Sequence, residues 1–199
     1  CTPPNLTNTT LTAPQGIQWL RTLGGSDYDA SITSAIVNDS SFVVAGITYS
    51  ADGDFSPGTF DITNAFVVKY NSNGDYLWKK IIGGNDIDAI EYIQKNADGS
   101  FIATGVSASG NGVFSTNHGV EDAWVLKLDS SGNVLWQKQI GGSNYDNGLI
   151  IKPTTDGGYI FLGNTESVDG DVITNPYPNS VIYGRNWAIK LNATGNIVW

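Results

Sequence analysis

Residues Trp78 to Gly84 read WKKIIGG, and the string returns upstream as WLRTLGG (Trp19 to Gly25) and downstream as WQKQIGG (Trp136 to Gly142). From each tryptophan the spacing is fixed. A Gly-Gly pair begins five residues on, an aspartate follows five later and a glycine seventeen after that. The three series are Trp19, Gly24, Asp29, Gly46; Trp78, Gly83, Asp88, Gly105; and Trp136, Gly141, Asp146, Gly163. A second block closes each unit with Lys, Gly and Trp, at Lys69, Gly74, Trp78, then Lys127, Gly132, Trp136, then Lys190, Gly195, Trp199. Only the piece between the blocks changes length, at 23, 22 and 27 residues from glycine to lysine. Such self-similarity marks a repeat architecture in which each unit buries its apolar face against the next. The rigid blocks predict paired strands, because a one-residue slip turns every side chain to the wrong face. The elastic piece predicts surface loops.

Within the first unit, Ser31 to Val37, Phe42 to Thr48, Phe66 to Tyr70 and Tyr76 to Ile82 are short and rich in β-branched and aromatic residues, which predicts four strands. The last two are joined by NSNG at 71–74, matched by DSSG at 129–132 and NATG at 192–195, where glycine supplies the positive φ of a short hairpin. Gly46, Gly105 and Gly163 fall in mid-strand, which predicts close approach by a neighbouring backbone or a large ring, with the recurring tryptophan as the candidate ring. The fold expected is all-β: three four-stranded antiparallel units at about 24–82, 83–140 and 141–199, preceded by a separate segment 1–15.

The net charge of −9, with ten Lys plus Arg against nineteen Asp plus Glu, argues against a nucleic-acid groove. The chain has no methionine, and its one cysteine is Cys1, which excludes an internal disulfide. Residues 1–15 open with CTPPNLTNTTLTAP, uncharged and rich in threonine and proline, and read as an extended tether. A lone cysteine at the first position resembles a processed bacterial lipoprotein, which implies an acylated Cys1 and a membrane anchor.

The pattern W-x4-GG-x3-D, followed by D-G-G/S-[FY]-[IV] and W-[AV]-[IL]-K-L, resembles repeats of secreted and surface proteins of the Bacteroidetes type, generally assigned as β-propeller-like. The resemblance covers 16–199 and implies a lipid-anchored, outer-membrane protein built from propeller blades, periplasmic or surface-facing. Closed propellers usually have four to eight blades, so three units imply part of a larger propeller with further repeats beyond Trp199, the alternatives being an open three-blade arc or self-association into a larger ring.

Asp29, Asp88 and Asp146, repeated at one spacing, are expected to accept turn N–H groups, and Trp19, Trp78 and Trp136 to serve packing. Unit-specific chemistry falls in the elastic loops. Asp52, Asp54 and Asp61 lie in the first; His118, Glu121 and Asp122 in the second; Asp169, Asp171, Tyr177, Tyr183 and Arg185 in the third. The DGD pairs at 52–54 and 169–171 offer oxygen ligands for calcium, but no stretch completes a twelve-residue calcium loop. His118 is the only histidine and no nucleophile elbow accompanies it, so no catalytic residues are assigned. The expected function is non-enzymatic protein–protein interaction with a cell-envelope protein as partner, for instance as an accessory subunit of an outer-membrane complex. The alternative is glycan binding through Tyr177, Tyr183 and Trp124.

Overall fold

The computed structural model describes residues 19–38, 41–56, 62–172 and 184–199. The tether with Cys1, and Asp61, Tyr177 and Tyr183, lie outside the described residues. Three antiparallel sheets account for the described fold. The first is β1 (Asp29–Asn38), β2 (Ser41–Thr48), β3 (Asn64–Asn71) and β4 (Tyr76–Ile82), paired in that order. The second repeats it with β5 (Asp88–Lys95), β6 (Phe101–Ser107), β7 (Asp122–Leu128) and β8 (Val134–Ile140). The third has β9 (Asp146–Pro153), β10 (Tyr159–Thr165) and β11 (Arg185–Leu191). It therefore has three strands rather than the expected four. A fourth is begun by the Leu191–Ile197 bridge, by the Lys190 N–H donated to Trp199 O at 2.9 Å and by the Val198 N–H donated to Lys190 O at 2.7 Å. Among the described residues the only helical piece is a 3-10 turn, Gly53–Phe55.

Strand alternation gives each sheet two apolar faces, and the sheets pack face to face. Val43, Ala45, Ala65 and Val67 of the first sheet meet Phe101, Ala103, Trp124 and Leu126 of the second in one core. Ile102, Ala123 and Val125, on the opposite face of the second sheet, meet Tyr159, Phe161, Ile189 and Leu191 of the third. The two interfaces use repeat-equivalent positions, so the shared letters of the sequence are the letters that pack. At the outer rim, the Trp78 ring meets Phe101 edge-on at 6.1 Å between centroids, and Trp136 meets Tyr159 in the same way at 5.9 Å.

The mid-strand glycines are explained by backbone, not by the repeated tryptophans. A Cβ on Gly46, Gly105 or Gly163 would lie 1.9–2.2 Å from the carbonyl oxygen of Ala30, Ala89 or Asn147 on the neighbouring strand. The cause is an extra residue in the first strand of every unit, at Ile32, Glu91 and Leu149, where the register slips by one. The tryptophans instead cover the hairpin glycines. Trp19, Trp78 and Trp136 lie against Gly74, Gly132 and Gly195, whose φ values are 76°, 82° and 83°. The Trp19 and Trp78 indole N–H groups donate to Ser72 O (2.8 Å) and Ser130 O (3.1 Å) in those turns.

Candidate functional site

Each unit enters its first strand through the Gly-Gly turn, and one aspartate holds that turn. The Asp88 carboxylate accepts from the Gly84 N–H at 2.7 Å, from Ser109 Oγ at 2.8 Å and from Ser107 Oγ at 2.5 Å. Asp29 takes Gly25 N–H (2.8 Å), Ser50 Oγ (2.9 Å) and Thr48 Oγ1 (2.5 Å). Asp146 takes Gly142 N–H and Ser167 Oγ, both at 2.7 Å. Burial pushes the Asp88 carboxyl up, against the opposing pull of the two serine hydroxyls and the Gly84 N–H.

The DGD pairs serve the same turns from the other side. Asp54 accepts the Gly24 N–H (3.0 Å) and Asp52 the Ser26 N–H (2.7 Å); Asp171 accepts from Gly141 (3.3 Å) and Asp169 from Ser143 (2.8 Å). The intervening Gly53 and Gly170 sit at φ 58° and 64°, and in the second unit Gly112 occupies the equivalent place at φ 75°. The four carboxylates that offered calcium ligands are thus engaged with backbone N–H groups. Among the described residues no three His, Cys, Asp or Glu side chains converge as a metal cage.

The second loop adds a histidine–carboxylate contact. Asp122, fully buried at the start of β7, receives both the His118 backbone N–H (2.6 Å) and an Nδ1 contact (2.9 Å) on Oδ2. Asp122 Oδ1 is buried without a hydrogen-bond partner among the described residues, as is Asp146 Oδ1. A Cβ built on Gly141 would lie 2.3 Å from Asp122 Oδ1 and 2.6 Å from Asp146 Oδ2, so the two carboxylates sit side by side. Burial, reinforced by Asp146, pushes the Asp122 carboxyl up, although the His118 contacts oppose it. At the first junction the matching place holds neutral Asn64, whose Oδ1 lies 2.0 Å from a Cβ on Gly83.

His118 also lines a shallow cavity of about 340 Å³ with Thr116, Gln137, Lys138, Gln139 and Asp171. Gln139 Oε1 accepts from the Thr116 N–H (2.6 Å) and hydroxyl (3.0 Å), which ties the loop to β8. The structure therefore brings His118, Asp122 and Asp171 to one junction and sets Asp52 and Asp54 at another. Glu121 stands beside the first group; its carbonyl accepts the Asp146 N–H at 2.8 Å, and burial with nearby Asp86 raises its carboxyl. Arg185 begins β11 opposite Thr165. A larger cleft of about 500 Å³ lies on the outer face of the first sheet, lined by Arg21, Leu23, Asp54, Tyr70, Tyr76 and Lys79.

Sequence reasoning missed the apolar rim of the loop edge. Tyr28, Ile87 and Tyr145, each preceding the repeated aspartate, are 62%, 40% and 50% exposed. The carbonyl oxygen of each accepts an N–H from the segment that leaves the second strand of its unit, donated by Tyr49, Ala108 and Glu166 respectively. Tyr28 and Tyr49 meet edge-on at 5.9 Å, and Val120 is exposed on the same edge. The sequence shows a large apolar or aromatic residue before each repeated aspartate, but not that it faces outward.

No protein-family model matches this chain, and no curated protein matches it in sequence.

Proposed function

We propose that this chain is a non-enzymatic display module of the β-propeller type, anchored to the bacterial outer membrane through an acylated Cys1, whose loop edge binds a protein of the cell envelope. The observation that carries the reading is the division of labour at that edge. Repeated Asp, Ser and Gly residues fix the turns, while exposed Tyr28, Tyr49, Ile87, Val120 and Tyr145 stand outward from them. Large apolar residues held on a rigid frame and left exposed as a group mark interaction surfaces, and tyrosine is favoured at such contacts. The blade assignment rests on the three repeated sheets and on the two equivalent sheet-to-sheet interfaces. The His118 junction supplies a polar landmark in one unit, where the Asp122 carboxylate holds the histidine.

The test is photo-crosslinking from position 28 or 145 in intact cells. A discrete cross-linked envelope protein, lost on Val120→Asp and retained on the turn variant Gly99→Ala, is the expected result. Saturable labelling of glycan with no protein adduct would replace this reading with carbohydrate binding. Intact mass of the protein from membranes tests the anchor, since acyl chains on Cys1 add mass that hydroxylamine-resistant linkage and lipase treatment define.

A further inference from the structure

Charge is sorted between the two ends of the sheets. At the hairpin end carboxylates meet cations: Asp75 pairs with Arg21 at 3.7 Å, Asp98 with Lys127 at 3.3 Å and Asp156 with Lys190 at 2.7 Å. At the loop edge the carboxylates of Asp29, Asp88 and Asp146 are held instead by backbone N–H groups and serine hydroxyls. Of the lysines and arginines among the described residues, only Arg185 begins or ends a strand there. The edge on which the apolar rim stands is therefore negative.

At the junction of the second and third units this charge gathers around one ring. Glu121 and Tyr145 form a parallel bridge, and the Asp146 N–H donates to Glu121 O at 2.8 Å. On its other side Tyr145 O accepts the Glu166 N–H at 2.8 Å, one residue beyond the Asp146–Thr165 pair that ends the β9–β10 ladder. Residues opposite one another in a ladder point to the same side, so the order Glu121, Tyr145, Glu166 sets the phenol ring between two carboxylates. Tyr145 is half exposed, Glu166 exposed and Glu121 half-buried. Neither glutamate carboxylate accepts a hydrogen bond or meets a cation among the described residues. At the preceding junction Thr63, Ile87 and Ala108 hold the same three places, so the row belongs to one junction and not to the repeat. Burial, with Asp86 close by, pushes the Glu121 carboxyl up, as expected of a carboxylate that no positive charge offsets.

We infer that the Glu121–Tyr145–Glu166 row seats an arginine side chain of the protein partner, which therefore reaches the loop edge through a basic segment. A guanidinium laid on the phenol ring is attracted by the ring face, and its planar fork presents N–H donors to the carboxylates on either side. A lysine ammonium, compact and strongly hydrated, makes a poorer fit to a ring flanked on both sides. The class of partner follows from charge complementarity. A rim that is apolar at Ile87 and Val120 and negative at Asp86, Glu121 and Glu166 selects a surface that is apolar and basic, and repels an acidic one. Arginine and tyrosine are also the residues that most often anchor the centre of a protein interface. The inference rests on the reading of the loop edge as a partner site and adds the chemistry of the partner.

The probe is an acetylated, amidated peptide in which two arginines flank a leucine, titrated into the whole chain and followed through the Tyr145 ring resonances. Its counterpart with glutamate in place of arginine is the control. Saturable binding of the arginine peptide, weakened by added salt and absent for the glutamate peptide, is the expected result. Glu121→Gln combined with Glu166→Gln should weaken it about tenfold and Tyr145→Leu about threefold, whereas Tyr145→Phe and the hairpin-end variant Asp129→Asn should leave it unchanged. The glutamine changes are isosteric and remove no hydrogen bond among the described residues, so the fold is kept. In cells the same double variant should lose the cross-link formed from position 28. A cross-link that survives the double variant, or an arginine peptide whose affinity ignores it, overturns the arginine seat alone and leaves the loop edge as a partner site. A wild-type chain that yields no cross-linked protein overturns the proposed function and this inference with it.

Discussion

Asp88→Ala removes the acceptor on which the turn between the first two units converges. Asp88 and Ser107 are fully buried, so no water replaces what is lost. Of the three donors, Ser109 retains a second acceptor in Asp86 O at 3.2 Å, whereas the Gly84 N–H and the Ser107 hydroxyl lose theirs. Each orphaned donor costs about 1–3 kcal/mol, which sets a gross loss of about 2–6 kcal/mol. The variant also sheds the cost of burying a carboxylate, the cost that raises the Asp88 carboxyl in the folded state, so the net loss falls at the low end, about 2–3 kcal/mol. For a chain of this size that is a fall in Tm of about 4–12 °C. Differential scanning calorimetry measures it, and amide exchange should show protection at Gly84 lost before protection in β6. A Tm equal to wild type would refute the argument, because it would mean that the three hydrogen bonds contribute nothing net.

Three further outcomes follow from the same geometry. Asp122→Asn places at the second junction the amide that Asn64 supplies at the first, and its NH2 group can donate to the neighbouring Asp146 carboxylate; a gain of about 0.5–1.5 kcal/mol at neutral pH is expected by chemical denaturation. Because burial raises the folded Asp122 value, wild type is relatively most stable below the unfolded aspartate value of about 3.9 and loses that stability as pH rises through the raised value, so the variant's advantage must grow with pH and not shrink. Gly132→Ala should cost about 1–3 kcal/mol from φ 82° alone and more from the clash with Trp78 at 2.9 Å, whereas Gly99→Ala, at φ 84° with open space around it, should cost only the backbone part. Equal losses in the two variants would deny the tryptophan clamp. Calcium should leave Tm unchanged, since Asp52, Asp54, Asp169 and Asp171 are already engaged with turn N–H groups, and a calcium-dependent rise would show those carboxylates free to ligate.

The strand frame was legible in the sequence because a repeat prints its packing positions several times over. Tyr76–Ile82 and its downstream copy Val134–Ile140 form the strands that repetition and composition predicted, whereas the upstream copy at 19–25 forms no strand, and the aspartate after each Gly-Gly announced a carboxylate that serves a turn. The bulges at Ile32, Glu91 and Leu149 were not legible, because an extra residue inside a strand keeps the repeat spacing intact while shifting the register between strands. That is why the sequence left the neighbouring backbone and a tryptophan ring as alternatives for the mid-strand glycines, of which the backbone is the one observed. At the candidate site, His118 and Asp122 were singled out as lying in one loop, but their direct contact depends on the turn at 117–119, where Asn117 Oδ1 accepts the Gly119 N–H at 3.1 Å. The pairing of Asp122 with Asp146 joins positions far apart in the chain, and no local pattern announces it. The exposed rim of Tyr28, Ile87 and Tyr145 escaped notice because apolar letters within a β pattern read as core, and only coordinates show which way they face.

The central claim is that the sheets pack on one interface used twice, with Trp78 on Phe101 and Trp136 on Tyr159 as its repeated rim contact. Ring-to-ring nuclear Overhauser effects on aromatic-labelled protein test it most directly. The account predicts contacts of similar strength within both pairs and none between Trp78 and Tyr159; absence of either pair, or strong cross-contacts between them, would contradict it.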